Sequence, residues 1–184
     1  ASPHRRSADQ GDVRAISALG SMYENSQGVR QDYTEAARLY RTITGMHPEV
    51  YYKLARLYRL GRGVEKDIAE AARLLTMAAI QNSSAALAEI LKAAEQGDLA
   101  AQSSLGYVYY KRFWNENYPE ALHWLRKAAD QGDPKAHYYL GLMYAFGQGV
   151  EKDYTEAVRL IRHAAEQGVV EDQYKLGSAY RDGD

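Results

Sequence analysis

The sequence predicts an all-α fold, an array of helical hairpins stacked one on the next. Three observations predict it. An anchor of Leu followed by Gly or Ala, with Tyr three residues after the small residue, stands at Leu19-Gly20…Tyr23, Leu54-Ala55…Tyr58, Leu105-Gly106…Tyr109, Leu140-Gly141…Tyr144 and Leu176-Gly177…Tyr180. A second phrase follows three of these anchors: QGVRQDYTEA at 27–36, LGRGVEKDIAEA at 60–71 and FGQGVEKDYTEA at 146–157. Apolar residues at helical spacing flank the phrase on both sides, so each unit reads as helix A, loop, helix B.

Taken in order, the small anchor residues are separated by 35, 51, 35 and 36 residues. Residues 1–82 hold the first two units, 83–97 the irregular stretch that makes the long spacing, and 98–184 two more units and helix A of a fifth. Helix A is carried by series such as Ala136, Leu140, Gly141, Met143 and Tyr144, which share one helical face. Helix B is carried by Ala157, Leu160, Ile161, Ala164 and Ala165. In the loop, Gly147 and Gly149 can take positive φ and end helix A, and Val150 is placed to fill the gap between the helices. Asp153 then caps helix B with Glu156 three residues on, a capping box repeated as Asp32/Glu35, Asp67/Glu70 and Asn117/Glu120.

The glycine phrase does not read as a phosphate loop. Such a loop needs a strand before the glycines and Gly-Lys-Ser/Thr after them, whereas here a helix precedes and Val-Glu-Lys-Asp follows.

The whole chain bounds the function classes. Its 184 residues carry 23 basic and 24 acidic side chains, a balance that argues against a strongly basic nucleic-acid surface. There is no cysteine, which removes disulfides, thiolate nucleophiles and thiolate zinc sites. No apolar run reaches the ~18 residues needed to span a bilayer, and no signal peptide is expected at the start, where two arginines lack an apolar segment behind them. His-Glu-x-x-His, Gly-x-Ser-x-Gly and Ser-x-x-Lys are absent. His4, His47, His123, His137 and His163 show no metal-ligand spacing on one helix face. The expectation is a non-enzyme without cofactor or metal.

The succession Leu-Gly-x-x-Tyr, Gly-x-Gly-Val, Asp-Tyr-x-x-Ala and Ala-Ala-x-x-Gly, clearest in 132–168, resembles the Sel1-like repeats, relatives of the tetratricopeptide repeats. The resemblance covers nearly the whole chain. It implies a right-handed α/α superhelical solenoid that serves as an adaptor or scaffold, with helix A of each unit lining a concave groove. It also suggests a bacterial periplasmic or secreted setting.

Two departures stand out. At the long joint, AALAEILKAAEQGD (85–98) supplies a second ending like that of helix B, read either as an inserted helix near Ser83–Glu95 or as a repeat that has lost its helix A; a change of superhelical direction is expected there. In the third unit KRFWNENY (111–118) replaces the glycine loop, so Phe113 and Trp114 either pack on a neighbour or wait for a partner.

On helix A, the stripe two before, two after and five after the anchor Leu lies opposite the assigned core. It reads Ser17, Ser21, Glu24; Tyr52, Arg56, Arg59; Ser103, Tyr107, Tyr110; Tyr138, Leu142, Ala145; and Tyr174, Ser178, Arg181. This stripe varies between units while the anchor does not, and it is rich in Tyr and Arg, the residue types of binding hot spots. The expected partner is a protein or peptide segment, with Tyr52, Arg56, Arg59, Tyr107, Tyr110, Tyr138, Leu142, Tyr174, Phe113 and Trp114 as contacts. The alternatives are a glycan or small-molecule module, or a hydrolase, on the same array, and self-association through the incomplete C-terminal unit.

Overall fold

The computed structural model describes residues 12–112 and 117–169, and among them the chain is helix and connecting loop. The helices are α1 (Val13–Asn25), α2 (Tyr33–Thr42), α3 (Pro48–Leu60), α4 (Ile68–Ile80), α5 (Ser84–Glu95), α6 (Leu99–Arg112), α7 (Tyr118–Asp130), α8 (Pro134–Phe146) and α9 (Tyr154–Glu166). The chain divides within α5, between Ala88 and Glu89, into two compact units. The first holds the hairpins α1/α2 and α3/α4; the second holds α6/α7 and α8/α9. The expected all-α hairpin array is what the chain forms.

Each hairpin closes by the same device. The small anchor residue leaves room for a large side chain of its partner helix: a Cβ on Gly20 would lie 2.6 Å from Tyr40 Cε1, on Gly106 2.6 Å from Leu125 Cγ, and on Gly141 2.5 Å from Ile161 Cγ1. The second hairpin has Ala55 there, only 1 % exposed. Around these contacts Ala36, Ala37, Tyr40, Val50, Leu54 and Leu74 form the interior of the first unit, and Leu105, Val108, Leu125, Ala136 and Met143 that of the second. Burying a Leu or Met side chain contributes roughly 1.5–3 kcal/mol.

The repeated loop phrase performs three separate jobs. First, it stops helix A. Ser26, Gly61 and Gly147 take the left-handed conformation (φ 58, 64 and 66°). The next N–H reaches back to Met22 O, Leu57 O and Met143 O at 3.0, 3.0 and 2.9 Å. Second, it starts helix B. Asp32, Asp67 and Asp153 accept the N–H of Glu35, Glu70 and Glu156 at 2.9, 2.9 and 3.0 Å. Their own N–H groups donate to the carbonyls of the anchor tyrosines Tyr23, Tyr58 and Tyr144. The glutamates bind forward to Arg38, Arg73 and Arg159 at 2.6–2.7 Å. Val150 packs against the second unit's core, as its place in the loop suggested.

The third job is the joint between hairpins. A Cβ on Gly63 would lie 2.1 Å from the carbonyl carbon of Tyr33, the first residue of α2. One on Gly149 would lie 2.6 Å from Cβ of Tyr118, the first residue of α7. The second loop glycine therefore seats the second hairpin on the first and the fourth on the third. An arginine nine residues past the cap of helix B strengthens the joint: Arg41 Nη2 donates to Tyr58 Oη at 2.7 Å, and Arg126 Nη2 to Tyr144 Oη at 3.4 Å. The same position in α4 is Thr76, whose hydroxyl turns back onto Ala72 O. It precedes α5, where no helix A with an anchor Tyr follows.

One expected cap is corrected. Asn117 makes no side-chain cap hydrogen bond to α7, and its ψ of 22° differs from the extended ψ of 96–103° at the three aspartates. It stands eleven residues after Gly106, whereas the aspartates stand twelve after Gly20, Ala55 and Gly141. The shorter connection leaves the cap residue without the extended backbone that aims a side chain at the third N–H.

Candidate binding faces

The stripe predicted to line a groove divides between seam, core and surface. In the first unit Arg56 is exposed, Tyr52 and Arg59 are half-buried, and Ser21 faces the neighbouring helix A, where Lys53 Nζ donates to its hydroxyl at 2.9 Å. In the second unit Ser103 is buried and donates to Asp133 Oδ1 at 2.9 Å. Tyr107 is half-buried and stacks on Tyr139 with ring centroids 4.7 Å apart. Tyr110, also half-buried, packs obliquely on Tyr139 (5.6 Å) and Tyr118 (6.5 Å). Lys111 Nζ lies 5.9 and 5.8 Å from the ring centres of Tyr107 and Tyr110. Burial pushes the Tyr110 phenol above its ordinary value, with Tyr118 and Tyr107 adding to the effect.

Tyr138 and Leu142 do not face water. They are 5 % and 7 % exposed and cluster with Ile161 and Ala164 of α9, and Ala145 beside them is buried too. The expectation for these positions is corrected for a simple reason. PKAHYYLGLMYAF is apolar around most of its circumference, and a helix of that kind is covered on more than one side. Phe113, Trp114 and Tyr174 lie outside the described residues.

Two members of the second unit's aromatic face were not in the predicted set. Lys111 lies one turn after Tyr107, and i, i+4 spacing would have placed it on the same face. Tyr139 stands just before the anchor Leu, the place Lys53 takes in the second hairpin. In both hairpins that residue meets the side chain two past the preceding anchor, Lys53 on Ser21 and Tyr139 on Tyr107.

Two arrangements have a chemical look and resolve into structure. In the first unit Tyr40 Oη donates to Glu24 Oε2 at 2.9 Å and lies 3.2 Å from Ser21 Oγ. Lys53 Nζ joins Ser21 to Glu49, 3.0 Å away. A serine beside a lysine suggests a nucleophile and its base, but both side chains here take part in a polar seam that joins α1, α2 and α3. Burial also raises the Tyr40 phenol far above its ordinary value, so that hydroxyl stays protonated and donates. In the second unit the rings of His137 and His163 lie 4.3 Å apart across the α8/α9 hairpin, a meeting that spacing along one helix could not show. Among the described residues no group of three or more metal-ligating side chains gathers there or elsewhere. No described helix is long and apolar enough to cross a membrane.

The repeat model for the Sel1 repeat matches residues 13–42, 48–83, 99–133, 134–169 and 170–184. The chain belongs to the Sel1 repeat family. The matches leave out 84–98, the segment that contains α5. Among solved structures, this Sel1 array is similar to a protective antigen of uropathogenic Escherichia coli described as displaying an SLR fold, with 33 % identity over 98 % of this chain and 44 % of that one, TM-score 0.47. It is also similar to a Sel1 repeat protein from Oxalobacter formigenes, 32 % identical over 94 % and 65 % of the two chains, TM-score 0.44. An immunity protein from Pseudomonas aeruginosa is 22 % identical over 85 % and 66 %, TM-score 0.38. The chain thus spans less than two thirds of each of the first two structures. None of the curated proteins compared with the chain matches it.

Proposed function

We propose that this Sel1 array is a non-enzymatic scaffold that holds a segment of another protein against its helix A layers. The observation that carries the reading is the half-buried cluster of Tyr107, Tyr110 and Tyr139 on α6 and α8, with Lys111 over two of its rings. Rigid aromatic side chains supply contact area at small entropic cost, and they are the residue types that dominate interface energetics. In the first unit the exposed Arg56 and the half-buried Tyr52 offer a second, more polar contact. The loop glycines, Arg41 and Arg126 carry part of the stacking between hairpins, and the helix A contacts that join it differ from unit to unit, Lys53 on Ser21 in the first and Tyr139 on Tyr107 in the second.

Selecting a random peptide library on the full chain tests this. Each selected peptide is expected to lose binding to one of two variants with unchanged far-ultraviolet circular dichroism, Tyr107→Ala for peptides held by the second unit and Arg56→Ala for those held by the first. Undiminished binding to both variants would place the contact on another face and refute the proposal.

A further inference from the structure

The two helix A elements of the second unit share a charge pattern that names the kind of segment they would hold. Helices α6 and α8 contain no Asp or Glu, and their cations are Lys111, Arg112 and Lys135. The helix B elements of the same unit carry the acids instead, Glu120 and Asp130 on α7 and Glu156 and Glu166 on α9. The carboxylates just before these helices are the caps, and both are engaged there: Asp98 accepts from Ala101 N–H at 2.7 Å, and Asp133 from Ala136 N–H and Ser103 Oγ at 2.7 and 2.9 Å; Glu116, five residues past Lys111, lies outside the described residues.

Lys111 sits at the opposite end of α6. It is exposed, and its described contacts are with the faces of Tyr107 and Tyr110; among the described residues it has no carboxylate partner. A cation held over ring faces keeps its outer hydration and can still take an anion. Between Lys111 and Tyr139 the rings of Tyr107 and Tyr110 are only half-buried, so apolar ring surface stays in reach of a partner beside the stacked pair.

We infer that the α6/α8 face selects an acidic segment in which carboxylates alternate with aromatic or large apolar residues. A carboxylate would pair with Lys111 while the adjacent ring lies on Tyr107 and Tyr139. Phosphate polymers fit less well, because they reward many clustered cations and this face offers few. The inference rests on the scaffold reading and adds the chemistry of the partner to it.

Fluorescence anisotropy with three labelled peptides of about a dozen residues, alternating Tyr with Glu, Gln or Lys, tests the inference on the full chain. The Glu–Tyr peptide is expected to bind about tenfold more tightly than the Lys–Tyr peptide, with the Gln–Tyr peptide between them. The Lys111→Glu variant should reverse that order, while the charge-matched Lys127→Glu variant on α7 should keep it. Equal affinity for the three peptides, all weakened by Tyr107→Ala, would overturn the charge selectivity and leave the scaffold reading standing. Binding of the Glu–Tyr peptide that Lys111→Glu leaves unchanged would overturn the inference outright. So would failure of all three peptides to bind while library peptides still require Tyr107.

Discussion

Replacing Gly63 by alanine should open the joint between the two hairpins of the first unit, and a companion substitution isolates the cause. Gly28 and Gly63 occupy the same place in successive loops, with φ of 72 and 67°. Alanine at either pays for left-handed backbone, about 1–2 kcal/mol, and regains about 0.4–1 kcal/mol from a less flexible unfolded chain. The net loss for Gly28→Ala is about 1 kcal/mol, because the nearest atom to its new Cβ is Met22 Cε, 3.7 Å away. At Gly63 the new Cβ would stand 2.1 Å from a backbone carbon and 2.3 Å from a backbone oxygen of Tyr33. Backbone cannot rotate aside as a side-chain tip can, so the loop must withdraw by about 1 Å or more and the packing over Tyr33 loosens. Overpacking adds about 1–3 kcal/mol, so Gly63→Ala should exceed Gly28→Ala by about 2 kcal/mol. Both positions lie in one compact unit. In urea unfolding followed by circular dichroism, with a slope of about 2 kcal/mol per molar, the midpoints should differ by about 1 M. Coincident midpoints would show that the second glycine serves the turn alone and that the seating argument is wrong.

Two further outcomes follow from the caps and their ion pairs. Asp67→Ala should cost about 1 kcal/mol, whereas Asn117→Ala, which loses no capping bond, should cost at most a few tenths; equal losses in thermal unfolding would contradict the cap geometry. Glu70 and Glu156 are held below the ordinary carboxylate range chiefly by hydrogen bonds from Arg73 and Arg159. A carboxylate lowered in the folded chain stabilises it fully above the ordinary glutamate value of about 4.3, and that stability disappears as pH falls through the lowered value. Carboxyl chemical shifts followed by NMR should show both glutamates titrating below an unpaired one, with Arg73→Met restoring Glu70 alone; a Glu70 titration unmoved by that change would refute the assignment.

The amino-acid sequence by itself determined the hairpin array. Period, anchor, loop glycines and capping aspartates are local chemistry repeated along the chain, and each copy checks the others. It also marked α5, because a spacing of 51 among spacings near 36 leaves room for one more short helix. Tertiary structure alone decided which of two jobs a repeated residue performs. Gly61 and Gly63 look alike in sequence, yet the first ends a helix and the second seats a hairpin on Tyr33. Asn117 looks like a cap, and a connection one residue shorter takes the bond away. The binding stripe was legible as a register but not as an exposed surface. Positions opposite the assigned core can still be covered, as Tyr138 and Leu142 are by α9, and periodicity along one helix reports its faces without saying how many are packed. For the same reason the pairing of Tyr107 with Tyr139 came from the fold: it joins residues one repeat apart, and a ring's partner is set by the distance between helices rather than by spacing along either one.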